Sequence, residues 1–244
     1  MSTYVYGITH AGLPDLPEDL AGVGDPPRPV RVLREGDAAA VVSDCPEGLR
    51  PKRRDLFAHQ RVLTAVSTAG AVLPLRFGSV SADDDAVRAE LAANADLHRQ
   101  QLETVAGRVE YNVKGVHRED VLLRAIVTGD EEIGRLNAAT RGEGGRHEDR
   151  VRLGELVAGA VQAQAARDSA AVAEALAPHA VDRAAGPEGG ERVVNLSFLV
   201  DREHAADFLT RVEQLQESAP HLELAVSGPL PPYSFVRTAS ATAA

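Results

Sequence analysis

The chain has 244 residues, of which 44% are hydrophobic and 25% are charged, and it contains no tryptophan. This length supports one or two folded domains, and the composition excludes an intrinsically disordered chain. The formal net charge of −10 argues against general nucleic-acid binding, which depends on concentrated positive charge.

Three strands and a loop are predicted at the start of the chain. Alternating tyrosines predict a strand over residues 3–9. Two further apolar segments, 30–33 and 38–42, predict a hairpin across the Glu-Gly-Asp turn at residues 35–37. The intervening residues 12–29 are rich in glycine and proline, which predicts an irregular loop.

A helix, a strand and a second helix are predicted next. Apolar residues recur at helical spacing from residue 53 to near residue 70, namely Leu56, Phe57, Val62, Leu63 and Val66. Residues 72–80 then predict a strand. Ser81 and Asp84 resemble a capping box, with aspartate in place of the usual glutamate, and predict a helix that continues to residue 105.

The second half of the sequence alternates strands with helices. The predicted strands are 109–116, 193–200 and 222–226, and the predicted helices are 119–127, 148–177 and 203–216. Glycine-rich breaks at residues 142–145 and 187–190 flank the long helix, and the small residues 238–244 predict a frayed end.

This order of elements predicts an α+β protein with two domains, residues 1–108 and residues 109–244. Strand, helical insert, strand, helix and strand in the second half are close to a ferredoxin-like layout with a long helical insert. The alanine-rich insert either projects as an antiparallel or coiled-coil arm or packs across its own sheet, and both alternatives stay open. One face or edge of such a sheet would be a ready docking surface.

The sequence contains none of the common catalytic or phosphate-binding motifs. The eight histidines are scattered, without the close spacing of familiar zinc sites, so we expect no enzyme activity, no metal and no cofactor. His59, on the first predicted helix, could be a general base, but a core or interface histidine is the favoured interpretation. The single Cys45 excludes an intrachain disulfide and is typical of a reducing cytoplasm.

Two apolar segments contain unexpected residues. In the Leu-Pro-Leu-Arg-Phe-Gly segment at 73–78, Arg76 would be costly to bury without a carboxylate, and we expect Glu110 to be its partner. Alternatively, Arg76 meets an acidic group on another protein. In the second segment, Pro231, Pro232 and Tyr233 form a rigid strip that either closes the core of the second domain, the favoured alternative, or presents an apolar contact.

Four motifs in this order resemble the gas vesicle protein F/L family. They are the tyrosine-rich strand at 4–8, the Leu-Pro-Leu-Arg-Phe-Gly motif at 73–78, the Glu-x-x-x-Lys segment beginning at residue 110, and the closing Gly-Pro-x-Pro-Pro-Tyr-Ser-Phe at 228–235. The candidate interaction or structural residues in them are Arg76, Phe77, Glu110, Lys114, Pro231, Pro232, Tyr233 and Phe235. The resemblance covers nearly the whole chain.

The resemblance implies a non-enzymatic accessory or minor structural protein of the gas vesicle in the cytoplasm. Its implied partners are gas vesicle shell protein A, the small hydrophobic shell subunit, and other gas vesicle accessory proteins, with no nucleic acid and no membrane. A soluble acidic carrier could shield the apolar surface of the shell subunit before assembly. No apolar run approaches the roughly 18 residues needed to cross a membrane, and the N-terminus lacks the features of a signal peptide.

Two alternatives belong to other classes of function. A ferredoxin-like sheet can bind a small effector, so a regulatory ligand-binding module is the second hypothesis, and it predicts saturable thermal stabilisation by a metabolite. An enzyme with a dispersed site is the third, and it requires titratable residues to converge in one cleft. Neither alternative explains the proline-aromatic terminus.

Overall fold

The first five strands form one antiparallel sheet. They are β1 Thr3–His10, β2 Arg31–Glu35, β3 Ala38–Asp44, β4 Val72–Pro74 and β5 Val80–Ser81. Their order is β2-β3-β1-β4, and β5 also pairs with β1. The predicted hairpin between β2 and β3 is confirmed. Its turn places Gly36 at φ +55°, a conformation that glycine adopts without a steric penalty.

The computed structural model describes residues 1–141, 145–187 and 192–237. These residues divide into two compact units, the first comprising residues 1–111 with 228–237 and the second comprising the described residues from 112 to 227. Residues 109–111 and 228–237 thus belong to the first unit, whereas the predicted boundary assigned them to the second domain. The predicted breaks at 142–145 and 187–190 and the predicted frayed end fall largely or wholly outside the described residues.

Three helices cover the sheet of the first unit: α1 Arg53–Ala69, α2 Asp84–Ala93 and α3 Ala95–Val105. Tyr4 and Tyr6 of β1 pack into one buried cluster with residues of α1, and Val5 and Ile8 pack into a second with residues of α2 and α3. A β-bulge between Val5 and Gly7 shifts the alternation of β1, so that Ile8 lies in the same cluster as Val5.

Three of the predictions for the first unit are wrong. The predicted strand over 72–80 is divided into β4 and β5, because a turn closed by a hydrogen bond from the Ser79 N–H to the Arg76 carbonyl lies between them. The predicted single helix to residue 105 is interrupted at Asn94, whose side chain donates to the carbonyl of Glu90. The N-cap of α2 is also not Ser81 but Asp83.

The second unit contains most of a four-stranded sheet. Its strands are β6 Arg108–His117, which begins in the first unit, β7 Asp182–Ala185, β8 Val194–Asp201 and β9 Leu222–Leu230, which ends in the first unit. Their order is β7-β8-β6-β9, and β7 and β8 are antiparallel. The edge strand β7 was not predicted because its sequence, Asp-Arg-Ala-Ala, is polar and mostly exposed and so lacks apolar alternation.

Four helices belong to the second unit: α4 Glu119–Gly129, α5 Glu131–Thr140, α6 His147–Leu176 and α7 Ala205–Ser218. α5 was not predicted, because only Ile133 is buried in a short helix with an internal glycine. α6 contacts α4, α5, α7 and β8, and its buried residues lie in its last third, so it packs within its own unit. Among the described helices, none is both long and apolar enough to cross a membrane.

Candidate functional site

The tyrosine-rich strand and the Leu-Pro-Leu-Arg-Phe-Gly motif meet at the hydroxyl group of Tyr4. This hydroxyl accepts a hydrogen bond from the Gly78 N–H at 3.2 Å and lies 2.8 Å from Nδ1 of His59. Nε2 of His59 lies 3.1 Å from the carbonyl oxygen of Leu75. Because a carbonyl only accepts, Nε2 carries the proton, and Nδ1 of the neutral ring accepts from Tyr4.

Aromatic rings surround this hydrogen-bonded chain. Tyr4 makes edge contacts with Tyr6, His59 and Phe77, with ring centroids 4.8, 5.8 and 5.9 Å apart. Tyr6 stacks on His59 at 5.5 Å, and its hydroxyl accepts from the N–H of Val23, which anchors the irregular loop to the core. The predicted core role of His59 is confirmed, and Phe77 is half-buried in the same cluster.

Burial changes the acid–base behaviour of the cluster. Burial raises the pKa of Tyr4 well above its usual value of 10.0, although the hydrogen bond from Gly78 opposes this shift. Burial also lowers the pKa of His59 below its usual value of 6.5, and the hydrogen bond to the Leu75 carbonyl offsets part of this effect. Both groups are therefore held in their neutral forms at neutral pH.

We expect the first unit to lose stability as the pH falls below about 6.5. There the unfolded chain protonates His59 while the folded chain, whose His59 pKa is lowered, does not, so the free energy of unfolding decreases. Urea unfolding followed by tyrosine fluorescence between about pH 7.5 and 5.5 measures this dependence. It reports on the first unit because all four tyrosines, 4, 6, 111 and 233, lie there.

Two histidine variants of the first unit, one as the test and one as the control, check this pH dependence. His59→Gln should flatten the dependence of unfolding on pH, whereas His10→Gln, a change of a half-buried histidine on β1, should leave it unchanged. Equal slopes for the wild-type protein and His59→Gln would contradict the assigned role of His59.

The C-terminal motif packs on the first unit. The Glu110 carboxylate, 2% exposed, accepts from the Ser234 N–H at 2.8 Å and from the Ser234 hydroxyl at 2.7 Å. The Gln101 side chain accepts from the Arg237 N–H at 2.8 Å and donates to the Arg237 carbonyl at 2.9 Å. Val236 packs against the cluster of α2 and α3. The expectation that this segment closes the core of the second domain is therefore wrong.

The prediction of an ion pair between Arg76 and Glu110 is also wrong, since these two residues, both in the described part of the chain, do not pair. The Arg76 side chain is exposed, so its charge is hydrated and needs no buried partner. Both oxygens of Glu110 accept hydrogen bonds from Ser234 instead.

The remaining predicted site residues differ in exposure. Pro231 and Pro232 are buried, Phe235 is half-buried and Tyr233 is 37% exposed. Partial burial of Tyr233, and to a smaller extent the negative charge of Glu110, raises the pKa of Tyr233 to about 12. Lys114 is half-buried on β6 in the part of that strand that belongs to the second unit.

A groove along α1, which we call the α1 groove, was not predicted. Its volume is about 860 Å³, and it lies between the loop residues Gly22, Gly24 and Pro27 and one side of α1 that includes Phe57 and Arg61. Leu56 and Phe57, predicted as apolar helix positions, are 43% and 56% exposed. Hydrophobic spacing alone could not show this, because the buried face of α1 instead carries Asp55 and His59.

The second unit contains a cluster of titratable residues that was also missed. His117, at the end of β6, and His221, just before β9, both contact the carboxylate of Asp168 on α6. Burial raises the pKa of Asp168, but hydrogen bonds from His117, His221 and Gln164 outweigh it and hold that pKa below its usual value. These residues are more than 50 positions apart in sequence, so no motif spacing could reveal them.

Comparisons with protein families and curated proteins agree with one another. The family model described as "Gas vesicle synthesis protein GvpL/GvpF" matches residues 2–237. A curated "Gas vesicle protein F" from Streptomyces sp. (strain CB03234) is 49% identical over 237 residues, covering 97% of this chain and all of the relative. A "Gas vesicle protein L" from the same organism is 34% identical over 254 residues, covering 95% of this chain and 91% of the relative.

Two crystal structures have a similar fold. GvpF from Anabaena sp. PCC7120 aligns with a TM-score of 0.81 at 22% identity, covering 98% of this chain and 99% of that chain. GvpF from Microcystis aeruginosa aligns with a TM-score of 0.74 at 21% identity, covering 97% and 99%. At these identities the likeness concerns the fold alone.

Proposed function

Because the chain belongs to the gas vesicle synthesis protein GvpL/GvpF family, which implies a role in gas vesicle formation, we propose that it binds the hydrophobic shell subunit, gas vesicle shell protein A. In this proposal the protein is a non-enzymatic accessory or minor structural component that acts at gas vesicles in the cytoplasm. It keeps the apolar surface of the subunit covered until the subunit is assembled, and it can contact other accessory proteins of the vesicle.

The observation that carries this proposal is the α1 groove. Residues 54, 57, 58, 61, 64 and 65 line it at the spacing of one helical stripe, and Phe57, Ala58 and Ala65 give it an apolar floor. An exposed phenylalanine on a helix side that borders a cleft is typical of a surface that binds an apolar segment of a partner. Burying the exposed part of Phe57 supplies a favourable free energy for binding.

The charges at the rim of the groove indicate the chemistry of the occupant. Arg61 is exposed, and its guanidinium donates to the carbonyl of Ala21 at 3.2 Å. Arg54 is paired with Asp25 at 2.6 Å, so Arg61 is the cation with more donors left for a ligand. The occupant we propose is an apolar segment of the shell subunit that carries a carboxylate within reach of Arg61.

The predicted site residues have two roles in this proposal. Glu110, Pro231 and Pro232 are structural and hold the C-terminal segment on the first unit. Arg76 and Tyr233 are exposed and contribute further contacts to gas vesicle proteins. Phe77 and Phe235, which are partly buried and close to them in the sequence, contribute to the same contacts. Lys114 is a separate candidate contact on β6.

Replacing Phe57 with glutamate tests the proposed function. A tagged copy is co-expressed with the shell subunit, and soluble complex is measured by size exclusion. The wild-type protein should retain the subunit in solution, and Phe57→Glu should lose retention because a carboxylate replaces the apolar floor and repels the acidic group of the partner. The control is Leu56→Glu, which changes a neighbouring exposed residue that does not line the groove.

The outcomes of this experiment are distinct. Loss of retention in Phe57→Glu with retention in Leu56→Glu supports the groove as the binding site. Retention by both variants would place the binding site elsewhere. Failure of the folded wild-type protein to retain the subunit would contradict the proposed partner itself.

For the fold, we further propose two domains, of which the second is a modified ferredoxin-like fold. The strand order β7-β8-β6-β9 supports this, because strands 1 and 3 of a βαββαβ unit lie at its centre. The helices α4, α5 and α6 would then be the enlarged first crossover, and α7 would be the second.

A further inference from the structure

We propose that His117, Asp168 and His221 form a binding site for a divalent transition-metal ion of the zinc class. The proposal is independent of the groove and of the proposed function, because all three residues lie in the second unit. One ligand atom from each residue is available, and these atoms all lie within 4.8 Å of one another.

The geometry of the cluster is close to that of a metal site. Nε2 of His117 lies 2.9 Å from Oδ2 of Asp168, and Nε2 of His221 lies 3.0 Å from the same oxygen and 3.1 Å from Oδ1. Four ligands at about 2.0 Å from Zn²⁺ stand about 3.3 Å apart. The two histidine nitrogens therefore need to move only a few tenths of an ångström away from the carboxylate oxygen. The same two nitrogens, at most 4.8 Å apart, must approach each other to about 3.3 Å around the ion.

The ligand types match the proposed ion. Two imidazole nitrogens and one carboxylate oxygen are a ligand set that suits Zn²⁺ and neighbouring transition metals, and they suit Mg²⁺ and Ca²⁺ poorly. Each neutral imidazole can move its proton to Nδ1 and coordinate through Nε2. The buried carboxylate supplies one negative charge to a dicationic ion.

Residues behind the ligands orient the carboxylate. Gln164, one helical turn before Asp168 on α6, donates from Nε2 to Oδ1 of Asp168 at 2.9 Å. The guanidinium of Arg167 in turn donates to Oε1 of Gln164, which fixes the orientation of the Gln164 amide. Such outer hydrogen bonds to a ligating carboxylate are typical of metal sites.

An opening to solvent leads to the cluster. Asp168 is 8% exposed, but His221 and Gln164 line a cavity of about 340 Å³ that is also bordered by Asp130 and Leu122. An ion can enter from this side, and a water molecule from the cavity can occupy the fourth position of a tetrahedral site. The site is thus accessible without unfolding of the helix.

A bound ion would fasten three elements of the second unit together. His117 ends β6, His221 precedes β9, and Asp168 lies in the last third of α6, the part of that helix with the buried residues. Since the ion binds this arrangement and not the unfolded chain, it should stabilise the second unit. The role we assign to the ion is structural.

The test measures Zn²⁺ binding to the untagged, metal-stripped full chain by equilibrium dialysis with zinc alone. We expect one Zn²⁺ per chain, and we expect Co²⁺ at the same stoichiometry to give the visible absorption of a tetrahedral site. His221→Ala and Asp168→Asn should each lower the affinity by at least about tenfold. His147→Ala, which changes an exposed histidine of α6, is the matched control.

Thermal unfolding with and without zinc is a second measurement. Zinc should raise a thermal midpoint in the far-UV helical signal of the chain, of which the second unit contributes the larger part through its four helices. His221→Ala, at the rim of the cavity, should abolish this shift even if Asp168→Asn folds poorly. The proposal is overturned if the wild-type chain binds no Zn²⁺, or if His221→Ala binds it as tightly as the wild-type chain does.

Discussion

Replacing Tyr4 with alanine should lower the free energy of unfolding of the first unit by about 4 kcal/mol, the range found when a large buried ring is removed. Tyr4 is fully buried and contacts three other rings, so its loss leaves a cavity inside the aromatic cluster. The same change removes the hydroxyl that accepts from Gly78 and hydrogen-bonds His59. Urea unfolding followed by the three remaining tyrosines measures the effect.

Two other variants separate the parts of this effect. Tyr4→Phe keeps the ring and removes only the hydroxyl, so it should cost about 1 to 2 kcal/mol, because the Gly78 N–H loses its acceptor. Tyr233→Ala removes a tyrosine that is 37% exposed and should cost clearly less than Tyr4→Ala. If Tyr233→Ala costs as much as Tyr4→Ala, then Tyr233 is a core residue, and its proposed contact role is contradicted.

The strand β1 and the hairpin of β2 and β3 could be predicted because their residues obey local rules. Tyr4 and Tyr6 alternate with their neighbours, and Gly36 marks the hairpin turn. The β-bulge that moves Ile8 into the cluster of Val5 could not be predicted from this alternation. The interruption of the helix at Asn94 could not be predicted from spacing, because Leu91 and Leu102 keep a helical period across it. A single residue that competes for backbone hydrogen bonds can divide a helix without a change in apolar pattern.

The candidate site was predictable in its motifs but not in its partners. The sequence indicated that Arg76 and Glu110 need explanation, since a charge beside apolar residues is costly to bury. It could not show that Arg76 faces solvent, or that Glu110 binds Ser234, which is 124 positions away. The pairing of distant residues depends on the path of the whole chain, which local rules do not define.

The same limit applies to the α1 groove and to the cluster of His117, Asp168 and His221. Phe57 fits the apolar spacing of its helix, yet the helix is rotated so that Asp55 and His59 are buried and Phe57 is exposed. Asp55 is buried because its carboxylate accepts from the N–H of Gly24 in the loop. A polar residue with a tertiary partner therefore overrides the hydrophobic pattern in setting which face of the helix points inward.

Glu110→Ala should destabilise the first unit by about 3 kcal/mol, because it removes a buried carboxylate that accepts two hydrogen bonds from Ser234. Ser234→Ala keeps the hydrogen bond that its backbone N–H donates to Glu110 and should cost about 1 kcal/mol. Glu213→Ala, a change of an exposed glutamate on α7, should have almost no effect on unfolding. All three variants keep the four tyrosines, so tyrosine fluorescence in urea compares them directly.

The comparison of these variants also decides whether the C-terminal motif is part of the first unit in solution. If Glu110 holds the segment, limited proteolysis near residue 237 should be faster in Glu110→Ala than in the wild-type protein, because the backbone around Ser234 is released. A Glu110→Ala protein with unchanged unfolding and unchanged cleavage would mean that Gln101 and Val236 alone hold the segment through their contacts with α3 and the core. The carboxylate would then have no structural function at this position.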